Sequence, residues 1–272
     1  MKEFIKNYYN IEIKKIHNNY FYYDNEKIKI IKYNKKENIN KYINIINDKR
    51  ISEFVLNKNN EIITKYKEEN IILLKINDLQ KEIDLEYLNI FNIDNEKLDI
   101  RDLIKEWENL IDDSEIKIKD IEKDYYIGLS EIAISMMKKE KSDIKKVIGH
   151  DIKFNEITRE EYNNPLNFVR VDIIYNISNY VKYKFFNEQI NMIELEHIIK
   201  KLKKEQKLES FFAYMLYANY YFETENREKI IKKHKEYEEI LLFIKENIKK
   251  WKKYLVSRKK CDTMNSGVKW KK

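Results

Sequence analysis

Apolar and polar positions follow two different periods along this 272-residue chain, and the change falls near Leu85. Before it, short β-branched and aromatic runs are broken by Asn and Asp pairs. Ile11, Ile13 and Ile16 precede Asn18-Asn19, Tyr20 to Tyr23 precede Asp24-Asn25, and Ile28, Ile30, Ile31 and Tyr33 follow. Such runs between turn-prone pairs predict three strands over residues 11–33. Residues 37–47 read as a short helix with Ile39, Tyr42, Ile43 and Ile46 on one face. Strands resume at Glu53–Leu56, Ile62–Tyr66 and Ile71–Ile76, separated by polar turns at 57–60 and 67–70.

Beyond Leu85 the apolar residues recur at helical spacing. Leu103, Trp107, Leu110, Ser114, Ile118 and Ile121 form one stripe, and Leu129, Ile132, Ala133, Met136 and Met137 another. In the last stripe, Ile230, His234, Tyr237, Leu241, Ile244, Ile248, Trp251 and Leu255 alternate steps of four and three. A single helix of this kind is expected to pack on the body of its own chain. The expected fold is α+β. A β-rich lobe over 1–78 holds an antiparallel sheet and one helix, an almost purely helical lobe covers 79–256, and a basic tail covers 257–272.

Composition alters this picture in one place. Lys, Ile and Asn abound while Gly and Pro number three and one, the mark of a genome biased towards A and T, so lysine counts mean little. The net charge of +7 is unevenly placed: residues 249–272 hold ten Lys or Arg against one acid, and the rest of the chain sums to −2. That tail is expected either to be a solvated, frayed terminus or to seek an acidic partner, whether nucleic acid, lipid headgroup or acidic protein. The lone cysteine, Cys261, excludes an intramolecular disulfide and fits a reducing compartment. The start MKEFIKNYYN lacks the apolar core of a signal peptide, and no run reaches the ~18 apolar residues of a membrane span. These features lead to the expectation of a protein made and kept inside the cell. The four histidines lack metal-ligand spacing, so zinc is not expected.

Candidate chemistry gathers between Val147 and Phe186, which holds the only proline, Gly149, the His150-Asp151 pair, Leu166-Asn167-Phe168 and the helix opening Asp172-Ile-Ile-Tyr175-Asn176-Ile177-Ser178. This stretch, with EFVLNKNNEIITKYKEENIILLKIN (Glu53–Asn77), WENLIDD (Trp107–Asp113), DYYIGLSEIAI (Asp124–Ile134), YNNPLNFV (Tyr162–Val169), ISNYVKYKFF (Ile177–Phe186) and FFAYMLYANYYFE (Phe211–Glu223), is similar to a known family. It resembles the spore-coat kinase-like proteins of endospore-forming Firmicutes, the CotS/YutH group of the aminoglycoside phosphotransferase-like superfamily, over most of residues 10–225. The resemblance implies a bilobal protein-kinase-like fold, a sporulation setting and, often, lost catalytic residues.

Phosphoryl transfer in such enzymes uses a strand lysine on the phosphates, a catalytic-loop Asp at the acceptor hydroxyl, and an Asn and a later Asp on magnesium. The resemblance implies Lys32 for the phosphates, His150 and Asp151 for the catalytic loop, and Asn167 and Asp172 for the metal. The chain departs from that pattern. No glycine precedes Gly128, so no glycine loop covers phosphates. Asp151 directly follows His150, leaving Ile152 where the base belongs, and the fifth residue on is Glu156, with Asn155 one short. Asn167 puts an amide where magnesium prefers charged oxygen. The expectation is a degenerate kinase-like protein with a structural or interaction role. Its partners would be other spore-coat or sporulation proteins, in the mother-cell cytoplasm or the coat, and it would need no cofactor. Two alternatives stand beside it: an active small-molecule phosphotransferase using ATP and magnesium through Lys32, Asp151 and Asp172, and a helical module binding nucleic acid through the tail.

Overall fold

The computed structural model describes residues 1–35, 38–80, 83–139, 144–187 and 190–266, except for the side chains of 255–266. The chain is α+β, with a small antiparallel sheet and a larger helical part, and it forms two compact units. Met1–Arg101 and Lys146–Val171 make the first; Asp102–Lys145 and Asp172–Lys272 make the second. The division is therefore not a single break near residue 78, and the polypeptide passes between units three times.

In the first unit, α1 (Lys2–Tyr9) precedes β1 (Tyr20–Tyr23), β2 (Glu26–Lys32), β3 (Glu53–Val55), β4 (Thr64–Tyr66) and β5 (Glu69–Ile76). β5 is central, with β2 and then β1 on one side and both β3 and β4 on the other. Its run Ile71-Ile72-Leu73-Leu74 is fully buried, as a strand covered on both faces must be. Pairing of Ile30 with Leu73, and of Lys32 with Ile71, places Ile28, Ile30, Ile71 and Leu73 on one face. Phe4, Ile5 and Tyr9 of α1 and Ile11 and Ile13 join them in a core. Asn18, Asn19, Asp24 and Asn25 all adopt positive φ, between 46° and 65°. Asp24-Asn25 thus gives the two-residue hairpin turn that fits strand twist, with Asn and Asp in the place of glycine.

Three expectations change. Ile11, Ile13 and Ile16 form no strand: the first two are buried in the core without a ladder, and only an isolated bridge joins His17 to Tyr20. The expected helix over 37–47 reduces to a 3₁₀ turn, Ile39–Tyr42, with residue 37 outside the described residues. Asn38 turns its side chain to the Asn40 N–H, and Asn44 is left-handed, so the asparagines stop the helix. The second half is not helices alone, because β6 (Lys146–His150) and β7 (Phe168–Asp172) pair, with α4 (Arg159–Asn163) between them in sequence.

In the second unit stand α2 (Leu103–Lys117), α3 (Lys123–Lys139), α5 (Ile173–Asn187), α6 (Met192–Lys204), α7 (Leu208–Leu216), α8 (Asn219–Phe222) and α9 (Arg227–Ser266). The expected face of α9 is buried from Ile230 to Ile248 and packs on α5, α6, α7 and α8 of its own chain. The α2 stripe runs through Leu103, Trp107, Ile111 and Ser114 and on to Ile118, while Ile121 is exposed. Among the described residues no helix is long and apolar enough to cross a membrane.

Candidate functional site

The residues implied for phosphotransfer take separate surroundings. Lys32 ends β2 on the face of Ile28 and Ile30; its side chain is 62% exposed and pairs with Glu69 at 2.7 Å. His150 ends β6 and is buried against Phe91, Tyr162 and Phe168. Its Nε2 lies 2.9 Å from the Tyr162 carbonyl, which can only accept, so Nε2 carries the proton. Burial first, and then the Arg101 charge, push this ring down to about 3 against the pull of that carbonyl. A ring so placed stays neutral and braces the fold rather than exchanging protons. Asp151 follows with its carboxylate half exposed, 3.4 Å from Arg101, and its N–H donates to the Asn167 carbonyl at 2.8 Å. Ile152 is buried, and Asn155 and Glu156 are exposed. Asp172 belongs to the second unit, where it accepts the Tyr214 hydroxyl at 2.7 Å. Of the five, His150, Asp151 and Asn167 come together at the β6–β7 pair.

The buried histidine has a measurable consequence. Its folded-state value lies below the usual 6.5, so the unfolded chain binds a proton that the native state refuses. Stability is complete above 6.5 and is lost as pH falls below it. Between pH 6.5 and 5 this group should withdraw about 2 kcal/mol. Urea denaturation across that range should show a shallower acid slope in His150→Phe than in the parent; equal slopes would refute the assignment.

A second cluster, not foreseen from the sequence, lies on the opposite face of β2. Lys27 and Lys29 alternate with Ile28 and Ile30 and so leave the sheet on the other side. Lys29 reaches Glu161 at 2.5 Å and Glu160 at 3.0 Å; Lys27 reaches Glu160 at 2.8 Å, and the Tyr20 hydroxyl donates to Glu160 at 2.5 Å. The other Glu161 oxygen accepts the Asn167 amide at 2.8 Å. Burial alone would lower the Lys29 ammonium, but Glu161 and then Glu160 outweigh it and hold it above its ordinary value. Burial would likewise raise Glu160, yet the hydrogen bonds from Lys27, Tyr20 and Lys29 hold it below the usual carboxylate range.

These carboxylates are delivered by α4. Thr158 caps it, accepting the Glu161 N–H at 3.2 Å. Arg159 anchors it to Asp78 through a buried ion pair at 2.7 Å and lies over the Tyr87 ring. Tyr87 also donates its hydroxyl to Asn163, and the Ser52 N–H donates to the Asn163 carbonyl at 3.0 Å. The alternation of Lys27 and Lys29 with isoleucines was the legible signal for the lysines. No local signal pointed from Glu160 and Glu161 to partners more than 130 residues away.

The Asn167 amide already donates to Glu161, and among the described residues no three His, Cys, Asp or Glu side chains gather to hold a metal. Lys29, the half-buried cation of this face, already faces two carboxylates rather than a phosphate.

No protein-family model matches the chain. No curated protein matches it. Among solved structures it is similar to the crystal structure of spectinomycin phosphotransferase, APH(9)-Ia, in complex with ADP and spectinomycin. The identity is 13% and the TM-score 0.43, over 89% of this chain and 95% of that one. A likeness at that level leaves the chemistry to be argued from this chain's own residues.

Proposed function

We propose that this chain is a kinase-like protein whose phosphate site is filled by its own side chains, and that it serves as an interaction protein rather than a phosphotransferase. The bridge from Lys29 through Glu161 to Asn167 carries this reading. It sets a carboxylate between a strand lysine and the residue that the resemblance implies for the metal, so a phosphate would have to displace Glu161 from Lys29. The buried, neutral His150 and the absence of any glycine before Gly128 support the same reading. The sporulation setting, with other coat or sporulation proteins as partners in the mother cell or the coat, follows from the sequence resemblance alone.

The test is ATP turnover with magnesium or manganese, run beside a thermal-shift titration. The parent should turn over ATP only at background and show no shift. Glu160→Gln/Glu161→Gln, which uncovers both lysines, should gain nucleotide-dependent stabilisation. If the parent hydrolyses ATP and Lys29→Met abolishes it, the reading is wrong. A parent melting temperature that climbs with magnesium ATP would also count against it.

A further inference from the structure

We propose that the second unit binds the phosphate backbone of a nucleic acid duplex, whatever its sequence, on a lysine-bearing face shared by α6 and α9. The two helices pack together within that unit. Lys203 of α6 donates to the Asn247 Oδ1 of α9 at 2.7 Å, and Lys252 of α9 pairs with Glu209 of α7. These contacts bring the last turns of α6 against residues 247–253 of α9. Lys200, Lys201 and Lys204 stand exposed on the first helix, and Lys249, Lys250 and Lys253 on the second. None of the six has an ion pair or hydrogen bond among the described residues.

Placement rather than number marks this face, since lysine is common throughout the chain. Residues 196–209 and 245–254 hold ten lysines and four glutamates. Glu205 and Glu209 are taken by Lys207 and Lys252. Glu196 and Glu246 lie one turn before Lys200 and Lys250 and pair with neither among the described residues. Partial burial first, and then the Lys250 charge, hold the Lys203 ammonium below its ordinary value. Cations of two helices thus repel across the seam, and an anion placed there relieves the repulsion. The backbone of α9 continues as a helix to Ser266, and the sequence adds Arg258, Lys259 and Lys260. Lysine meets phosphate as a point charge, and contacts of that kind position a duplex without reading its sequence. A lipid surface also offers phosphates, but amphipathic helices hold bilayers by burying apolar side chains. Tyr254 is the one exposed aromatic or aliphatic side chain described in these two stretches. The face uses none of Lys29, Glu161 or Asn167, so it stands or falls apart from the reading given above.

The experiment uses the full chain and two fluorescein-labelled DNA duplexes of about 20 base pairs and unrelated sequence, followed by anisotropy between about 25 and 200 mM salt. Both duplexes should bind alike, and the logarithm of affinity should fall against that of salt with a slope of about −4 or steeper. Lys200→Gln/Lys204→Gln/Lys250→Gln/Lys253→Gln should weaken binding about tenfold or more and flatten the slope by about three. The same four positions changed to Arg should keep it. Lys65→Gln/Lys97→Gln/Lys119→Gln/Lys153→Gln, a control of equal net charge, should bind like the parent. All eight lysines are exposed, so the variants keep the parent fold. A duplex that fails to bind at low salt would overturn the face, as would equal binding by the two glutamine variants. A strong preference for one sequence would overturn the assignment to the backbone. Binding to phosphatidylglycerol vesicles that survives salt better than binding to duplex would overturn the assignment to nucleic acid.

Discussion

Between pH 7 and 9.5 Lys182 is expected to add about 3 kcal/mol to the unfolding free energy, read as the gain of the parent over that of Lys182→Met. Lys182 lies on α5 with only 1% of its surface exposed. Its Nζ donates to the Tyr214 and Tyr217 carbonyls at 3.1 and 3.3 Å and to the Asn219 Oδ1 at 2.6 Å, closing the C-terminal end of α7. Burial pushes this ammonium down to about 7, with Glu223 pulling the other way. The same lysine in the unfolded chain keeps its proton to about 10.5. Between those values the unfolded state binds more protons, so stability climbs with pH by about 1.4 kcal/mol per unit. Denaturant titrations at pH 7, 8 and 9.5 give the slope directly. Parallel profiles for the parent and Lys182→Met would mean that the three oxygens keep the ammonium charged.

Arg159→Met is expected to cost about 3–5 kcal/mol, the usual penalty for stranding one member of a buried ion pair. Arg159 and Asp78 are almost wholly buried, so the substitution leaves the Asp78 carboxylate with the Gln80 N–H but without its guanidinium partner. Arg159→Met/Asp78→Leu should recover most of the loss, because no charge is then left behind. Urea midpoints for the two single variants and the double variant decide the matter. If either single change costs under about 1 kcal/mol, this pair does not anchor α4.

The elements legible in the sequence are those with a strong local period. β1 and β2 stand out because Asp24-Asn25 sits between period-two runs, and α9 because its heptad face is long. α1 escaped notice because it has eight residues and no side-chain cap at Met1, so its helicity depends on burying Phe4 and Ile5. β6 and β7 are five residues each and become strands only through each other. The strand-end place of Lys32 is legible in the sequence, and strand parity separately puts Lys29 on the face opposite Ile28 and Ile30. Lys182 looks like a solvated charge until its neighbours are counted: Tyr180, Val181, Phe185 and Phe186 are all buried. The reach of Glu160 and Glu161 to β2 depends on tertiary structure and leaves no trace in either segment.

The interleaving of the two units bears on how the chain is made. When a ribosome has released residues 1–101, the sheet has all five of its strands, but the face carrying Lys27 and Lys29 still lacks Glu160 and Glu161. Those carboxylates arrive only after α2 and α3 of the other unit have been translated. At roughly 5–20 residues per second the wait lasts several seconds. Nascent first-unit chains therefore present a lysine-bearing sheet face that no finished molecule shows. The last step in assembling the first unit therefore waits for part of the second unit to be translated, whatever the speed of its strands.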